Sequence, residues 1–349
     1  MAISPPTVRR EPVVDDSAAR MASGVPMVRK IPLADRDGWR GALEGIPHGF
    51  GHTWESCAAV ELTTGLPTFL YTDETPGLRV VSPICERSFQ GHLDVVTPYG
   101  LSGLAGAALQ AGAGYDRWVA FARQQGYVCG YITVHPLFAP AECASLPEYA
   151  AHNDLYVLDL RAPQQALLDA MSQNPRRVLK AFERSDASLV DDRQALLAFL
   201  MENADEFMES KNFSGQSRLN ARSLEALGHA DNTLAIGVRI DGDIVAAALY
   251  GYSDFCADMS LVVIPPAGRG TMTALIWGGI QRLKGLGVAL LNLGGGIRRD
   301  DGVAQFKERF GPRKCPLGAL KQVYRPDIFN RLCEAHVAAP TAFFPPYRA

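Results

Sequence analysis

Thr233-Leu-Ala-Ile-Gly-Val-Arg-Ile-Asp-Gly-Asp-Ile-Val-Ala-Ala-Ala-Leu-Tyr-Gly-Tyr252 decides the fold of this chain. Two apolar runs flank Asp241-Gly-Asp243, and a short Asp-Gly turn between such runs is a hairpin signal. Residues 256–263 add a third strand, so a three-strand meander is expected. Pro265 and Pro266 end it, because proline cannot continue a ladder. Gly268-Arg-Gly-Thr271 then opens a helix whose apolar face carries Met272, Leu275, Ile276, Ile280, Leu283 and Leu286. Gly287 stops that helix, and the apolar run 288–293 reads as a buried strand. Gly294-Gly-Gly296 leaves the strand, 302–310 is a short helix, and 317–324 closes with a strand.

Upstream, 155–160 reads as a strand. Helical periodicity follows over 164–171, 176–184 and 194–211, with Ser217 as the cap of a short helix ending at Leu227. The first part of the chain is plainer: strands over 78–85, 93–97 and 127–134, and an amphipathic helix over 115–125. Thr97-Pro-Tyr-Gly-Leu-Ser-Gly-Leu104 is a turn-rich loop leaving a strand, a place where ligands are often held. The order strand, helices, meander, helix, strand, helix, strand predicts an α/β fold of the α+β kind, built on a mixed sheet.

The whole chain has 349 residues, more than one core usually organises, so two domains are expected. No repeat occurs at solenoid periods. Residues 1–28 mix Pro, Arg, Asp and Ser without periodicity and read as a disordered lead. A first domain over 29–150, a second over 151–325 and a tail over 326–349 complete the division. Prolines 340, 345 and 346 keep the last stretch from being regular helix. A net charge of −3 gives no bulk drive toward polyanions. Seven cysteines at 57, 85, 129, 143, 256, 315 and 333 never fall as C-x-x-C, which argues against a disulfide framework and a zinc site. Reduced thiols, no apolar run of membrane-spanning length and no signal-peptide core lead to the expectation of a cytoplasmic protein.

Three patches resemble the FemAB-like branch of the GNAT (N-acetyltransferase) superfamily. They are Tyr156-Val-Leu-Asp-Leu160 followed by Asn174-Pro-Arg-Arg-Val-Leu-Lys-Ala181, then Leu293-Gly-Gly-Gly296, then Phe306-Lys-Glu-Arg-Phe-Gly311. Together they cover about half the chain in the family's order. The resemblance implies tandem GNAT-like domains with the chain end returning to the first. It also implies transfer of an acyl or aminoacyl group to an amine held between them. Family donors differ, acyl-CoA in some members and aminoacyl-tRNA in cell-wall cross-bridge enzymes. The acceptor would be a small molecule, a sugar or a cell-envelope precursor. No cofactor is bound permanently in such a scheme. This sequence carries no inserted basic helical hairpin of the cross-bridge type.

Acyl transfer to an amine needs a neutral nucleophile, a polarised carbonyl and help for the leaving group. No Gly-x-Ser-x-Gly elbow is present, which fits direct attack in a ternary complex. By resemblance, Lys307 lies near the reacting ester, where one electrostatic donor is worth on the order of 3 kcal/mol. Without the motif it would read as a solvated lysine on an amphipathic helix.

Gly268, Arg269, Gly270 and Thr271 stand at a helix start, where free N–H groups favour phosphate. They only approximate the family's Arg/Gln-x-x-Gly-x-Gly/Ala loop. Gly294, Gly295 and Gly296 permit close approach by a ligand or suit a tight turn. Arg298 and Arg299 lie just beyond, within reach of a donor phosphate or in solvent. Arg176, Arg177 and Lys180, with Arg184 one turn on, form a basic helix face for a nucleotide-linked acceptor or a tRNA end, or are simply solvated. Asp258 and Ser260 share a strand face and Asp258 is the candidate base, with Tyr252 as a proton donor. His52, Trp54 and Tyr99 are candidates for the acceptor wall. No metal ligand set is expected. A catalytically silent GNAT-like binding module is the remaining alternative.

Overall fold

The computed structural model describes residues 28–75, 78–108, 113–211, 218–296, 298–336, 341 and 343–349. Of the lead expected over 1–28, residues 1–27 lie outside the described residues, as does the Ser217 cap, and Val28 already belongs to a strand.

Two similar units follow one another along the chain. In the first, β1 (Val28–Pro32), β2 (Thr68–Asp73), β3 (Leu78–Phe89) and β4 (His92–Val96) run antiparallel. Helix α3 (Ala113–Gln124) then crosses over, and β6 (Cys129–Val134) lies parallel to β4. In the second, β8 (Ser188–Val190), β9 (Thr233–Ile240), β10 (Asp243–Tyr252) and β11 (Cys256–Val263) repeat the meander. Helix α8 (Met272–Gly285) crosses over, and β12 (Leu290–Asn292) lies parallel to β11. Parallel neighbours need such a crossover, so the helix after each meander follows from the pairing. A short β5 (Ala105–Ala108) pairs with β3 off the main path.

Two long strands fuse the units into one sheet. β7 (Tyr149–Asp159) and β13 (Arg313–Val323) pair antiparallel at the centre. β13 also pairs with β6 through Gly318–Val134 to Val323–Cys129, and β7 pairs with β12. The sheet order is β1-β2-β3-β4-β6-β13-β7-β12-β11-β10-β9-β8. The fold is a mixed α/β architecture of two similar units, with the mixed sheet that the element order predicts.

β10 shows why its run is apolar throughout. Ala246, Ala248 and Tyr250 face a core shared with α8, with α4 (Gln164–Ala170) and with α5 (Gln173–Phe182). Ala247 and Leu249 face the opposite core, under α6 (Arg193–Ser210) and α7 (Ala221–His229). A strand covered on both faces loses the polar alternation of a half-exposed one. Asp241 and Gly242 take positive φ at its hairpin turn (51° and 92°), as an Asp-Gly two-residue turn requires.

Several elements depart from expectation. β1, α1 (Arg36–Leu43), α2 (Trp54–Thr64), β2 and α10 (Pro326–His336) are regular structure beyond the elements expected from the sequence. α7 is capped by Asn220, whose side chain accepts from Ser223 N. β7 begins at Tyr149 and β13 at Arg313, both earlier than their apolar segments, because the ladder between the two strands runs from Tyr149–Leu320 to Val157–Arg313. β12 is only three residues long. α10 and Tyr347 pack on Val128 and Cys129 of the first unit.

Candidate functional site

The parallel pair β11–β12 is short. Its ladder runs Cys256–Leu290, Ala257–Leu291, Asp258–Asn292 and ends there, while β11 continues along β10 to Val263. The sheet therefore splits at Asp258 and Asn292, and the chain leaves the split through Gly294 (φ 76°). Asn292 holds both sides of it. Its Nδ2 donates to Asp258 Oδ1 at 2.7 Å, and its Oδ1 accepts from Gly294 N at 2.8 Å. Asn153 Nδ2 then donates to Gly296 O at 2.8 Å. A Cβ on Gly295 would stand 2.8 Å from the Asp154 carbonyl, so glycine is needed for close packing on β7.

Lys307 meets this glycine exit. It lies on α9 (Gly302–Glu308), whose N-cap Asp301 accepts from Ala304 N. Phe310, fully buried, anchors the end of α9 in the second core, and Phe306 packs edge-on against it at 5.4 Å. With both rings turned inward, Lys307 is only 7% exposed, and its Nζ donates to Gly295 O at 2.6 Å. Burial brings its ammonium down to about 8. The solvated-lysine alternative does not describe this side chain.

The first unit covers the other side of the split. A 3-10 turn, Phe50–His52, inserts Phe50 over Gly251 of β10, where a Cβ would lie 2.2 Å from the ring. Gly251 pairs with Asp258, so Phe50 and the Asp258 side chain share one face of the sheet. Burial raises the Asp258 carboxyl to about 7, against the opposing effect of the Asn292 hydrogen bond. Ser260 does not share its face by simple alternation. The β10–β11 register shifts at Leu249/Tyr250, leaving Ser260 as the extra, exposed residue of a bulge.

Three imidazoles stand beside the turn. His52 is wholly buried, 3.0 Å from Gly103 O through Nε2, and burial holds it well below its ordinary value. It braces the turn against loop 97–104 and is no wall residue. His135 lies 5.7 Å from it, ring to ring, and His48 lies 6.1 Å from it. Burial lowers both, His135 to about 3. Among the described residues no three His, Cys, Asp or Glu side chains are grouped to hold a metal.

Trp54 and Tyr252 line one cleft of about 620 Å³ between the units, with His48, Phe255, Asp231 and Asp254. Trp54 Nε1 donates to Leu33 O at 2.7 Å, and the Tyr252 hydroxyl donates to Asp231 O at 2.9 Å. Tyr252 thus faces the cleft rather than the glycine exit.

The other candidates stand apart. Tyr99 is 48% exposed on its loop. Arg176, Arg177 and Lys180 are exposed on α5, whose start is tied to α9 by Ser172 N donating to Arg309 O at 2.8 Å. Gly268 is explained by packing, its absent Cβ falling 2.2 Å from Val245 O, and Thr271 Oγ1 donates back to Gly268 O. Gly270 (φ 94°) and exposed Arg269 complete that helix start. Arg299 pairs with Asp154 at 3.2 Å. His135, Asn292 and Gly49 escaped the sequence reading, since no local pattern distinguishes a lone His, Asn or Gly that converges only through the fold.

No protein-family model and no curated protein sequence matches the chain. Solved structures do match in three dimensions. FemX aligns with a TM-score of 0.62 at 9% identity, over 87% of this chain and 99% of its own. L-PGS from Bacillus licheniformis gives 0.56 at 17% identity, over 83% and 92%. The C-terminal domain of a lysylphosphatidylglycerol synthetase, described as putative, from Agrobacterium fabrum gives 0.54 at 16%, over 86% and 96%. At such identities the likeness is one of fold, and this chain shares the fold of FemX over nearly the whole of both chains.

Proposed function

We propose that this protein is an acyltransferase that moves an acyl group from an activated donor, an acyl-CoA or carrier thioester, to the amine of a small molecule, sugar or wall precursor. The observation that carries the reading is the buried Lys307 ammonium held at the glycine exit, joined through Asn292 to the Asp258 carboxyl. The amine nitrogen attacks the acyl carbonyl, an N–C bond forms and the C–S bond to the leaving thiolate breaks. Asp258, ionised above about pH 7, takes the proton released by the amine. Lys307, protonated below about pH 8, stabilises the negative charge that develops on the carbonyl oxygen and the leaving group. The start of α8 at Gly268, Arg269, Gly270 and Thr271 would receive the donor's phosphates, and the cleft at Trp54 and Tyr252 the acceptor. A cytoplasmic setting is supported by seven free thiols, six of them buried.

A second reading, aminoacyl transfer from aminoacyl-tRNA, rests on the exposed basic face of Arg176, Arg177 and Lys180 on the helix that abuts α9. One matched structure carries a name that speaks of a lysylphosphatidylglycerol synthetase, described as putative. Calorimetry with acetyl-CoA and with charged tRNA separates the donors. A response to CoA alone supports the first reading, and transfer abolished by ribonuclease supports the second. Binding with no transfer to any amine would leave a binding module and overturn both.

A further inference from the structure

Two buried polar atoms near the split have no hydrogen-bond partner in the structure, Asp258 Oδ2 and His135 Nε2. They come from different units, and they converge. From the point where a Gly49 Cβ would stand, His135 Nε2 is 3.1 Å away, Asp258 Oδ2 is 3.6 Å and the Leu101 carbonyl oxygen is 3.6 Å. The tautomer of His135 follows from its other nitrogen. Nδ1 accepts from Leu137 N at 3.2 Å, so the neutral ring carries its proton on Nε2. One side of the convergence is a donor, and the other is a carboxyl oxygen that accepts when ionised. His135 is 1% exposed and stacks on Phe138 at 4.7 Å, so its ring is fixed. An unsatisfied buried donor or acceptor costs about 1–3 kcal/mol, and native folds seldom leave two facing one place without use.

We propose that His135 and Asp258 form a two-sided polar subsite across the units. It takes one small neutral group that accepts from His135 Nε2–H and donates to Asp258 Oδ2, a substrate hydroxyl or a water in its place. His135 is thereby the positioning residue for Asp258, and Gly49 is glycine because any Cβ would fill the subsite. The groups facing Asp258 are the Asn292 amide, the neighbouring Cys256 thiol and the Phe50 backbone, with His48 and His52 beyond His135. This rests on the acyl-transfer reading only for the nature of a substrate occupant.

The test therefore needs no turnover. Carbon-13 NMR of labelled aspartate follows the Asp258 carboxyl, assigned with Asp258→Asn. His135→Phe removes the donor and should raise the Asp258 midpoint by about one unit, a tenfold gain in proton affinity. His135→Gln keeps an N–H donor and should hold the midpoint near that of the parent. Gly49→Ala should raise it as His135→Phe does, and it decides the matter if His135→Phe does not fold. A midpoint that ignores both His135→Phe and Gly49→Ala overturns the subsite. Ethanolamine added at constant pH distinguishes the occupants. A response lost in Gly49→Ala marks a substrate hydroxyl, and a signal blind to ethanolamine but sensitive to His135→Phe marks water.

Discussion

Lys307 Nζ donates to the carbonyl oxygen of Gly295 at 2.6 Å, and that bond ties the start of β12's exit loop to a helix twelve residues later. A cation so buried costs folding free energy that a single carbonyl hydrogen bond offsets only in part. Lys307→Met should therefore lower turnover at least tenfold while leaving the melting temperature unchanged or slightly raised. Calorimetry beside a steady-state assay checks it. Full activity in the variant would remove Lys307 from the chemistry.

Two groups with converging titrations set the pH profile. The Asp258 carboxyl, held up at about 7 by burial, must lose its proton to act as base. The Lys307 ammonium, lowered to about 8 by burial, must keep its proton to stabilise charge. Activity should rise through about pH 7 and fall above about pH 8, a narrow bell in kcat/KM. Lys307→Arg, always charged, should lose the alkaline limb whatever its absolute rate. A profile flat from pH 6 to 9 would contradict both assignments.

The same carboxyl shapes stability. An unfolded aspartate titrates near 3.9, so between about 4 and 7 the unfolded chain has released a proton that the folded chain still holds. The contribution of Asp258 is therefore most favourable below about pH 4 and is lost as pH rises to about 7. Urea unfolding at pH 5 and pH 7 should show a smaller decline in Asp258→Asn than in the parent protein. An identical pH dependence in both would show that the folded carboxyl titrates normally.

Gly251 is a further point of leverage, because a Cβ there meets the Phe50 ring at 2.2 Å. Gly251→Ala should cost about 1–3 kcal/mol by forcing the ring off the sheet. Adding Phe50→Leu should recover part of the loss, which a purely local effect at Gly251 would not allow. Denaturant titration of both variants gives the comparison.

The second unit was legible in the sequence because its meander is bounded by Asp241-Gly242, Pro265-Pro266 and Gly287, each acting locally. Phe306 and Phe310 were legible too, as ordinary i, i+4 core contacts, and the family motif singled out Lys307 between them. The first unit was not. Helix α2 reads as Trp-Glu-Ser-Cys-Ala-Ala-Val-Glu-Leu-Thr-Thr, with apolar side chains all round, since it packs both on the first core and against α7. Thr63 Oγ1 and Ser223 Oγ, 160 residues apart, sit 2.6 Å from one another there. The meeting of His135 with Asp258 has the same character. Only the closing of β13 onto β6 and β7 brings the units edge to edge, and no spacing within either one encodes the result.

The end of the chain offers the last test. Asp94, 1% exposed on β4, accepts from Arg87 Nε and Arg348 Nε, both at 2.6 Å, and from the Tyr347 hydroxyl at 3.1 Å. One carboxylate thus compensates two guanidinium groups that are themselves mostly buried. Asp94→Ala leaves both cations without their partner, and breaking a buried pair in this way costs about 3–5 kcal/mol. Arg348→Ala should cost less, because Arg87 still holds the carboxylate. The order Asp94→Ala worse than Arg348→Ala, read from melting temperatures, distinguishes compensation by charge from simple loss of contacts. Limited proteolysis should in parallel cut α10 and the residues after it earlier in Asp94→Ala than in the parent. Equal melting temperatures in all three proteins would mean that ring and apolar contacts, such as Phe329–Phe344 and Phe329–Tyr347, hold the segment without the charged cluster.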